Sequence, residues 1–453
     1  MSRTGAGKLA KLKVFGVGSG GVNLVKGPLQ LEDTDLTQAQ NAEFILNEAT
    51  GGIGVLSKRG GLAALNGSAM AGTVLGMIGL PLESTYTRTL YAARQTENSN
   101  TFTRSTNGTT WANTASPIAC NALDKFADNT NNLCARRAMG YKNFIIYGSD
   151  AYTQDTDNPE VAIYDGTDAY TMLAIPLGPS SNGSPPFVIT DWLVANNSLY
   201  LAISDPGGAS PSLAGRVLSL DFTTGQLKQV ANAFGSGTGE VTGGSPACLA
   251  FYANQLWVGL NGSATTNGIG KVVRAYPGVD TTWTSDIATL VSHPTSLMAF
   301  KGDLYASTRS STSGGATITK RSVTAGTWAT QVTSGAGADG TGHYDCLYVH
   351  GSAFWAVEYH TTTPLIHILT STDGTTWTTS RDVDGSDSGI AGNLPGQIIE
   401  FNNGTTTDLY VTFMATTAGG TDGFIMRRSG GTWSKTLAAS NIGGPMAILL
   451  ERT

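Results

Sequence analysis

The sequence has little charge and no long apolar run. Only 13% of its 453 residues are Asp, Glu, Lys or Arg, about half the proportion in an average globular protein, and the formal net charge is -6. Dedicated nucleic-acid-binding proteins carry a basic surface for phosphates, which this composition does not provide. No stretch approaches the ~18 consecutive apolar residues of a transmembrane helix, and the first apolar run is too short for a signal peptide. We therefore expect no membrane insertion.

Cysteine is also scarce, with four residues that are too scattered to form a disulfide scaffold. Cys120 and Cys134 are near enough in sequence to pair, but we expect thiols, as in a protein made in the cytosol. Amphipathic helical runs are almost absent. Glycine, with 58 residues, instead separates many short apolar stretches, which is typical of an all-β chain with polar turns.

One short motif is similar to a nucleotide-binding turn. Gly16, Gly18 and Gly21 have the G-x-G-x-x-G spacing, which binds phosphate only where a helix follows and presents its N-terminal amides. Gly27 and Pro28 would interrupt such a helix after about one turn. We therefore interpret this stretch as a linker or a strand end, and the sequence predicts no cofactor.

The chain contains an internal repeat. A large apolar residue followed by an aromatic or β-branched residue recurs seven times, and successive copies lie 48 to 57 residues apart. The copies are Leu90-Tyr91, Phe144-Ile145, Leu199-Tyr200, Leu256-Trp257, Leu304-Tyr305, Phe354-Trp355 and Leu409-Tyr410. A turn containing Gly follows each copy, and five of these turns end in a tryptophan: Trp111, Trp283, Trp328, Trp377 and Trp433. We interpret these five residues as structural aromatics that pack between repeats.

Each repeat is typical of four antiparallel strands, the blade of a β-propeller. Because a blade buries both faces only by stacking on neighbours, the ring must close. Residues 446–451 resemble an innermost strand with nothing after it, and residues 41–65 resemble two outer strands with nothing before them. We therefore predict a single propeller of eight blades, seven complete and one composite of N- and C-terminal strands, with seven blades as the alternative. The predicted domains are an extended arm for docking or oligomer contact over residues 1–40 and the propeller over residues 41–453.

The motifs that would indicate catalysis are incomplete. The turns at 105–111 and 371–377 resemble the Asp-box of sialidases, which is a folding element away from the central site. A sialidase also requires three convergent arginines, whereas the predicted inner strands offer only the adjacent Arg136 and Arg137, which face opposite ways. Three carboxylates lie on predicted inner strands without a spacing that pairs them for glycoside hydrolysis: Asp191, Asp345 and Glu400. We therefore expect no catalytic residues and no enzymatic activity.

Four of the five histidines fall within 25 residues, between His343 and His367. The hairpin pattern predicts that His343 faces His360 across the strands, with Cys346 nearby. A soft metal site formed by these three residues is one hypothesis, and solvated strand ends are the alternative. The spacing matches no zinc motif, so we predict no metal.

The first 65 residues contain a motif of two parts. A short G-G-x-N arm leads to an asparagine, and a G-x-L-x-K-R-x-G segment follows. The matching residues are Gly20, Gly21, Asn23, Asn41, Gly54, Leu56, Lys58, Arg59 and Gly61. This motif resembles the opening of virion tail proteins of short-tailed bacteriophages, and most closely that of the tail nozzle proteins, which bear β-propellers.

The resemblance implies a structural protein of the tail or neck that forms a ring around the DNA exit path. The expected partners are copies of the chain itself, six in a ring, and other tail proteins such as an adaptor. Viral DNA would pass without sequence-specific binding, and the protein would reside in the virion tail after synthesis in the host cytoplasm. The alternative is a glycan-binding surface propeller, either receptor-binding or lectin-like, and a sialidase-like hydrolase is a third hypothesis.

Overall fold

The structure is a computed structural model in which the chain divides into two compact units, Met1–Thr85 and Tyr86–Thr453. It describes residues 17–18, 21–22, 42–47, 53–58, 86–96, 99–113, 138–141, 144–149, 160–166, 169–174, 188–204, 215–234, 244–262, 270–290, 293–309, 316–333, 342–360, 365–383, 394–414, 423–438 and 442–452. All regular structure in these residues is β-strand. None of the described segments has the length and helical hydropathy of a membrane-spanning helix.

The first compact unit contains two separate hairpins. The strands are β1 (Val17–Gly18), β2 (Gly21–Val22), β3 (Ala42–Asn47) and β4 (Ile53–Lys58). Gly18 pairs with Gly21 in antiparallel register, so these two glycines of the G-x-G-x-x-G stretch lie in paired strands. Of the tail-protein motif, Gly21, Gly54, Leu56 and Lys58 lie in strands. Its other predicted residues lie outside the described part: Gly20, Asn23, Asn41, Arg59 and Gly61.

The second compact unit is built from four-stranded antiparallel sheets. Its strands are β5 (Tyr86–Thr96), β6 (Ser99–Ser105), β7 (Ala112–Asn113), β8 (Ala138–Tyr141), β9 (Phe144–Ser149), β10 (Glu160–Tyr164), β11 (Ala169–Ala174), β12 (Val188–Ala195), β13 (Ser198–Ser204), β14 (Arg216–Asp221), β15 (Leu227–Gln229), β16 (Gly244–Tyr252), β17 (Gln255–Gly262), β18 (Gly270–Ala275), β19 (Thr284–Leu290), β20 (His293–Phe300), β21 (Asp303–Arg309), β22 (Thr317–Arg321), β23 (Trp328–Thr333), β24 (Gly342–His350), β25 (Ala353–His360), β26 (Leu365–Ser371), β27 (Thr378–Val383), β28 (Leu394–Asn402), β29 (Thr407–Met414), β30 (Phe424–Ser429), β31 (Thr432–Ala438) and β32 (Ile442–Arg452).

These strands form seven blades in the described residues. Blade 1 has the order β32-β5-β6-β7, and blades 2 to 7 follow as β8–β11, β12–β15, β16–β19, β20–β23, β24–β27 and β28–β31. The first strands of neighbouring blades contact one another from β12 through β28 to β32, β32 contacts β8, and β9 contacts β12. The contacts therefore return to their start, and the predicted all-β propeller of four-stranded blades is confirmed.

The prediction of eight blades is wrong, and the alternative of seven describes the ring. The C-terminal strand β32 pairs with β5, the strand that contains Leu90-Tyr91, so the repeat counted as a complete first blade is itself the composite one. Residues 42–58 contribute a separate two-stranded sheet, β3 with β4. The compact unit that holds the propeller begins at Tyr86, whereas the sequence placed this boundary at residue 41. The docking role of residues 1–40 stays a prediction.

The five repeat tryptophans lie within one residue of the first residue of a fourth strand. Four of them donate from the indole nitrogen to the preceding blade: Trp111 to Thr436 Oγ1 (3.3 Å), Trp283 to the Asn232 carbonyl (2.8 Å), Trp328 to Asp286 Oδ1 (2.6 Å) and Trp433 to Ser380 Oγ (3.0 Å). The fifth, Trp377, packs on Phe354 with ring centroids 5.2 Å apart. Four of the indoles thus combine apolar packing with a hydrogen bond to the preceding blade, whereas the indole nitrogen of Trp377 is buried without a hydrogen-bond partner.

Side chains of the innermost strands bind several blades to the next one along the ring. The buried Asp191 accepts a hydrogen bond at Oδ2 from the amide nitrogen of Leu249, 2.7 Å away in the following blade. At the seam between the last and first blades, Gln397 Oε1 accepts from the amide nitrogen of Met446 at 2.9 Å. Because a buried amide without a partner is costly, these contacts favour one alignment of neighbouring blades.

Packing against a turn glycine gives a stability prediction. Gly374 has a φ of +76°, and a Cβ there would overlap the hydroxyl of Tyr305, which is fully buried in the preceding blade. Gly278 has the same backbone conformation, with a φ of +77°, but open space around its Cβ position. We expect Gly278→Ala to destabilise the protein by about 1 kcal/mol through backbone strain alone, and Gly374→Ala by roughly 2–4 kcal/mol through strain plus overpacking.

Chemical denaturation of both variants measures this difference. Equal losses of unfolding free energy in Gly374→Ala and Gly278→Ala would show that the blade interface yields to the added methyl group.

Candidate functional site

The two ends of the propeller differ in the connections that they carry. First and second strands, and third and fourth strands, are joined at one end, which we call the turn face. Second and third strands, and successive blades, are joined at the opposite end, the loop face, because paired strands run antiparallel. At the turn face, two residues separate Phe300 from Asp303, whereas at the loop face β13 ends at Ser204 and β14 begins only at Arg216. Side chains at the loop face therefore border the longer connections, where a rigid scaffold commonly carries binding residues.

A buried carboxylate lies at the loop face between blades 5 and 6. Glu358 of β25 pairs in register with Tyr344 of β24, and both residues are buried. Glu358 Oε1 lies 3.4 Å from Nε2 of His360, and each of these two side chains keeps 10% exposure. Burial, the charge of Glu358 and the hydrogen bond to it raise the pKa of the Tyr344 phenol well above its ordinary value. The phenol therefore stays protonated and donates to the carboxylate. We call Tyr344, Glu358 and His360 the Glu358 cluster.

His343 lies beside this cluster in a different register from the predicted one. The sequence places it opposite His360, whereas the strands pair it with Tyr359. The reason is a β-bulge between Asp345 and Tyr348, which inserts one extra residue into β24 and shifts the pairing by one. The rings of His343 and Tyr359 stack with centroids 5.8 Å apart.

The hypothesis of a metal site at His343, Cys346 and His360 finds no support in the part of the chain that the structure describes. Within it, no three His, Cys, Asp or Glu side chains gather as metal ligands would. Cys346 occupies the bulge with a φ of +58° and packs against the apolar cluster that contains Trp355 and Val357. Its surroundings are those of a core side chain.

The three candidate carboxylates of the inner strands belong to separate contacts. Asp191 binds the backbone of the next blade, as described above. Asp345 Oδ2 lies 3.7 Å from Arg309 Nη2 at the loop face. Glu400 Oε2 lies 2.7 Å from Nδ1 of His350 near the turn face, in a contact between blades 6 and 7. At the loop face, the structure instead encloses Glu358, which lies on a second strand.

Sequence reasoning missed Glu358 and Arg309 because it looked for charge on inner strands. Both residues lie at or near the end of a second strand, where each repeat turns back at the loop face. The signal in the sequence was that both charged residues fall near the end of the second strand of a repeat. The arginines that the sequence did identify, Arg136 and Arg137, lie outside the described residues.

No known protein family matches the chain, and no curated protein matches it. Among solved structures, a 6-phosphogluconolactonase candidate from Bacteroides uniformis is similar at a TM-score of 0.51 and 11% identity, over 80% of this chain and 99% of that one. A protein from Lactobacillus plantarum matches at a TM-score of 0.51 and 13% identity, with the same coverage. The GH74 xyloglucanase from Xanthomonas campestris matches at a TM-score of 0.50 and 12% identity, over 81% of this chain and 52% of that one. At these identities the similarity shows the fold alone.

The expectation that the protein is not an enzyme is wrong. It rested on incomplete motifs, whereas the same architecture is that of a xyloglucanase and of a lactonase candidate. An enzyme can also assemble its acid–base groups from different strands without a local motif, so incomplete motifs give no ground for excluding catalysis.

The burial of His343 predicts a pH-dependent stability. Burial, with the nearby charges of Arg309 and His360, lowers the pKa of His343 from its ordinary 6.5 to about 4. As the pH falls below 6.5, His343 binds a proton in the unfolded chain, whereas in the folded protein it does so only at about pH 4. The folded state therefore loses stability over this interval. We expect His343→Gln to remove on the order of 2 kcal/mol of this loss. Chemical denaturation at the two ends of the interval measures it, and an unchanged pH dependence in the variant would contradict the assignment.

Proposed function

We propose that the protein is a glycan-binding propeller that holds its ligand on the loop face, over the Glu358 cluster. The observation that carries this proposal is the carboxylate of Glu358, which contacts Tyr344 and His360 at the loop face between blades 5 and 6. Sugars are recognised by a few well-placed polar groups on a rigid scaffold, which lower the entropy lost on binding. Glu358 and His360 each keep a small exposed fraction, which is sufficient for a direct hydrogen bond to a hydroxyl group.

The fold supports this proposal by analogy. The xyloglucanase that shares the architecture is an enzyme named for a polysaccharide substrate, so the propeller is a scaffold on which sugar sites occur. Fold-level analogy raises the expectation without identifying a substrate. The specific argument comes from the residues of this chain. Glu358 is enclosed, and its neighbours Tyr344 and His360 carry groups that can donate or accept a proton.

Two glutamates provide a matched test of the proposal. Glu358 contacts His360 at the loop face, and Glu400 contacts His350 near the turn face. On a glycan array followed by calorimetry with the best ligand, we expect Glu358→Gln to weaken binding roughly 10- to 100-fold, the effect of losing a charged hydrogen bond. Glu400→Gln should bind like the wild type.

The same incubations also test for catalysis. Glu358 has the surroundings of a general acid–base group, so release of new reducing ends from the bound polysaccharide is measured for the wild type and both variants. Turnover that Glu358→Gln alone abolishes would extend the proposal to hydrolysis. An array without any ligand, or equal binding by the two variants, would overturn it.

A second proposed function follows from the N-terminal motif. We propose that the chain is a structural component of a bacteriophage tail, which assembles into a ring of six copies, contacts an adaptor protein and surrounds passing DNA. Its support is the resemblance carried by Gly21, Gly54 and Lys58 together with the other residues of that motif. The separation of Met1–Thr85 from the propeller as its own compact unit fits a docking element. A tail component with a glycan site satisfies both proposals.

The oligomeric state tests the second function. We expect the purified full chain to form rings of six in negative-stain microscopy and light scattering, and removal of residues 1–40 to release monomers with an intact propeller. A full chain that is monomeric at high concentration, and absent from virions, would refute this function without touching the glycan proposal.

A further inference from the structure

Three side chains lie in one row across the boundary between blades 5 and 6. His293 of β20 pairs in register with Arg309 of β21, and Arg309 pairs with His343 of β24. In the described residues, this last pairing is the one place where two blades share backbone pairing in a single sheet. The row lies at the loop face, next to the Glu358 cluster. We call His293, Arg309 and His343 the donor row.

The donor row has hydrogen-bonding capacity that the protein does not use. Nδ1 of His293 and Nδ1 of His343 are buried without a hydrogen-bond partner, and the whole of His343 is only 8% exposed. Such orphaned buried nitrogens are costly unless a ligand or water satisfies them. The Arg309 side chain is 47% exposed, and its contact with Asp345 is a loose one at 3.7 Å. Most of its five N–H donors therefore remain available.

The acceptors beside the row are already engaged. Asp345 faces Arg309, and Glu358 has Tyr344 and His360 as neighbours. Burial, with the charge of Arg309, lowers the pKa of both row histidines, so they are neutral at pH 7 and add no positive charge. Arg309 therefore carries the only formal positive charge of the row, and Asp345 and Glu358 lie nearby as negative charges. A single carboxylate can pair with the guanidinium, whereas a second negative charge on the ligand would meet these two carboxylates without a cation of its own.

We propose that the donor row binds the carboxylate of an acidic sugar, so that the ligand on the loop face is a uronic-acid-containing glycan. The inference rests on the proposed glycan-binding function and identifies its substrate class. A planar carboxylate can accept two parallel hydrogen bonds from the fork of Arg309, while the flanking imidazoles orient it. Nucleic-acid phosphates are also singly charged, but they require an extended basic surface, which a chain with net charge -6 does not provide.

Calorimetry with trigalacturonic acid and its methyl ester tests the assignment, because the ester keeps the sugar and removes the charge. We expect the wild type to bind the acid more tightly than the ester. Arg309→Gln should weaken binding of the acid roughly 10- to 100-fold, the effect of a lost charged hydrogen bond, and leave the ester unchanged. Arg309→Lys should give an intermediate loss, since lysine keeps the charge without the fork. Arg88→Gln, at an exposed position in blade 1, is the control and should match the wild type.

Each other outcome decides a different question. Equal affinity for acid and ester, or an acid affinity that Arg309→Gln does not change, overturns the acidic-sugar assignment while glycan binding stands. Binding of inorganic phosphate or duplex DNA through Arg309, without binding of trigalacturonic acid, overturns the assignment in favour of a phosphate site. An anion bound through Arg309 with no glycan on the array would refute the proposed function instead. Melting temperatures within a few degrees of the wild type show that the variants are folded.

Discussion

Each blade presents apolar side chains on both faces, and the rest of the structure depends on this constraint. In β21, Leu304 joins a buried cluster with Trp257 of the preceding blade, while its neighbour Tyr305 packs on Phe354 of the following blade. The cause is the alternation of side chains along a strand. A linear stack of such blades would leave two apolar faces in water, at ~25 cal/mol for each Å² exposed. Closing the ring covers both faces.

The seam where the ring closes uses the same contacts as the other blade boundaries. Thr436 of the last blade donates from Oγ1 to the carbonyl of Gly108 at 2.8 Å, and the indole of Trp111 donates back to Thr436. On the inner side, Gln397 holds the amide of Met446. Because β32 then completes the sheet that begins with β5, the end of the chain is bound by backbone hydrogen bonds along a whole strand. Opening the ring therefore requires loss of these bonds and of the apolar interface together.

The candidate site lies where the pairing of Arg309 with His343 joins two sheets that otherwise only stack. The bulge in β24 sets the residue that His343 faces, and register shifts also occur in the first strands β12, β16, β20, β28 and β32. The shared pairing and the bulge in β24 both lie toward the loop face between blades 5 and 6, beside the enclosed Glu358. Bulges commonly reorient side chains next to functional sites. The hydrogen-bonding capacity left open in the donor row distinguishes this boundary from the Asp286 network, in which Arg274, Arg321 and Trp328 satisfy a single carboxylate.

The sequence by itself determined the strand pattern, the repeat and the position of the tryptophans, because these follow from periodicities that extend over a few residues. The pairs such as Leu304-Tyr305 had to lie in strands buried on both faces, and the Gly-Thr turns had to separate strands. Only the tertiary structure decided that β32 pairs with β5, so that seven blades close the ring instead of eight. It also decided the neighbours of His343, since one extra residue in a strand changes every later pairing. His293, Arg309 and His343 lie in one row because of how the strands of two blades pair. No local sequence pattern predicts an interaction between strand ends on two different blades.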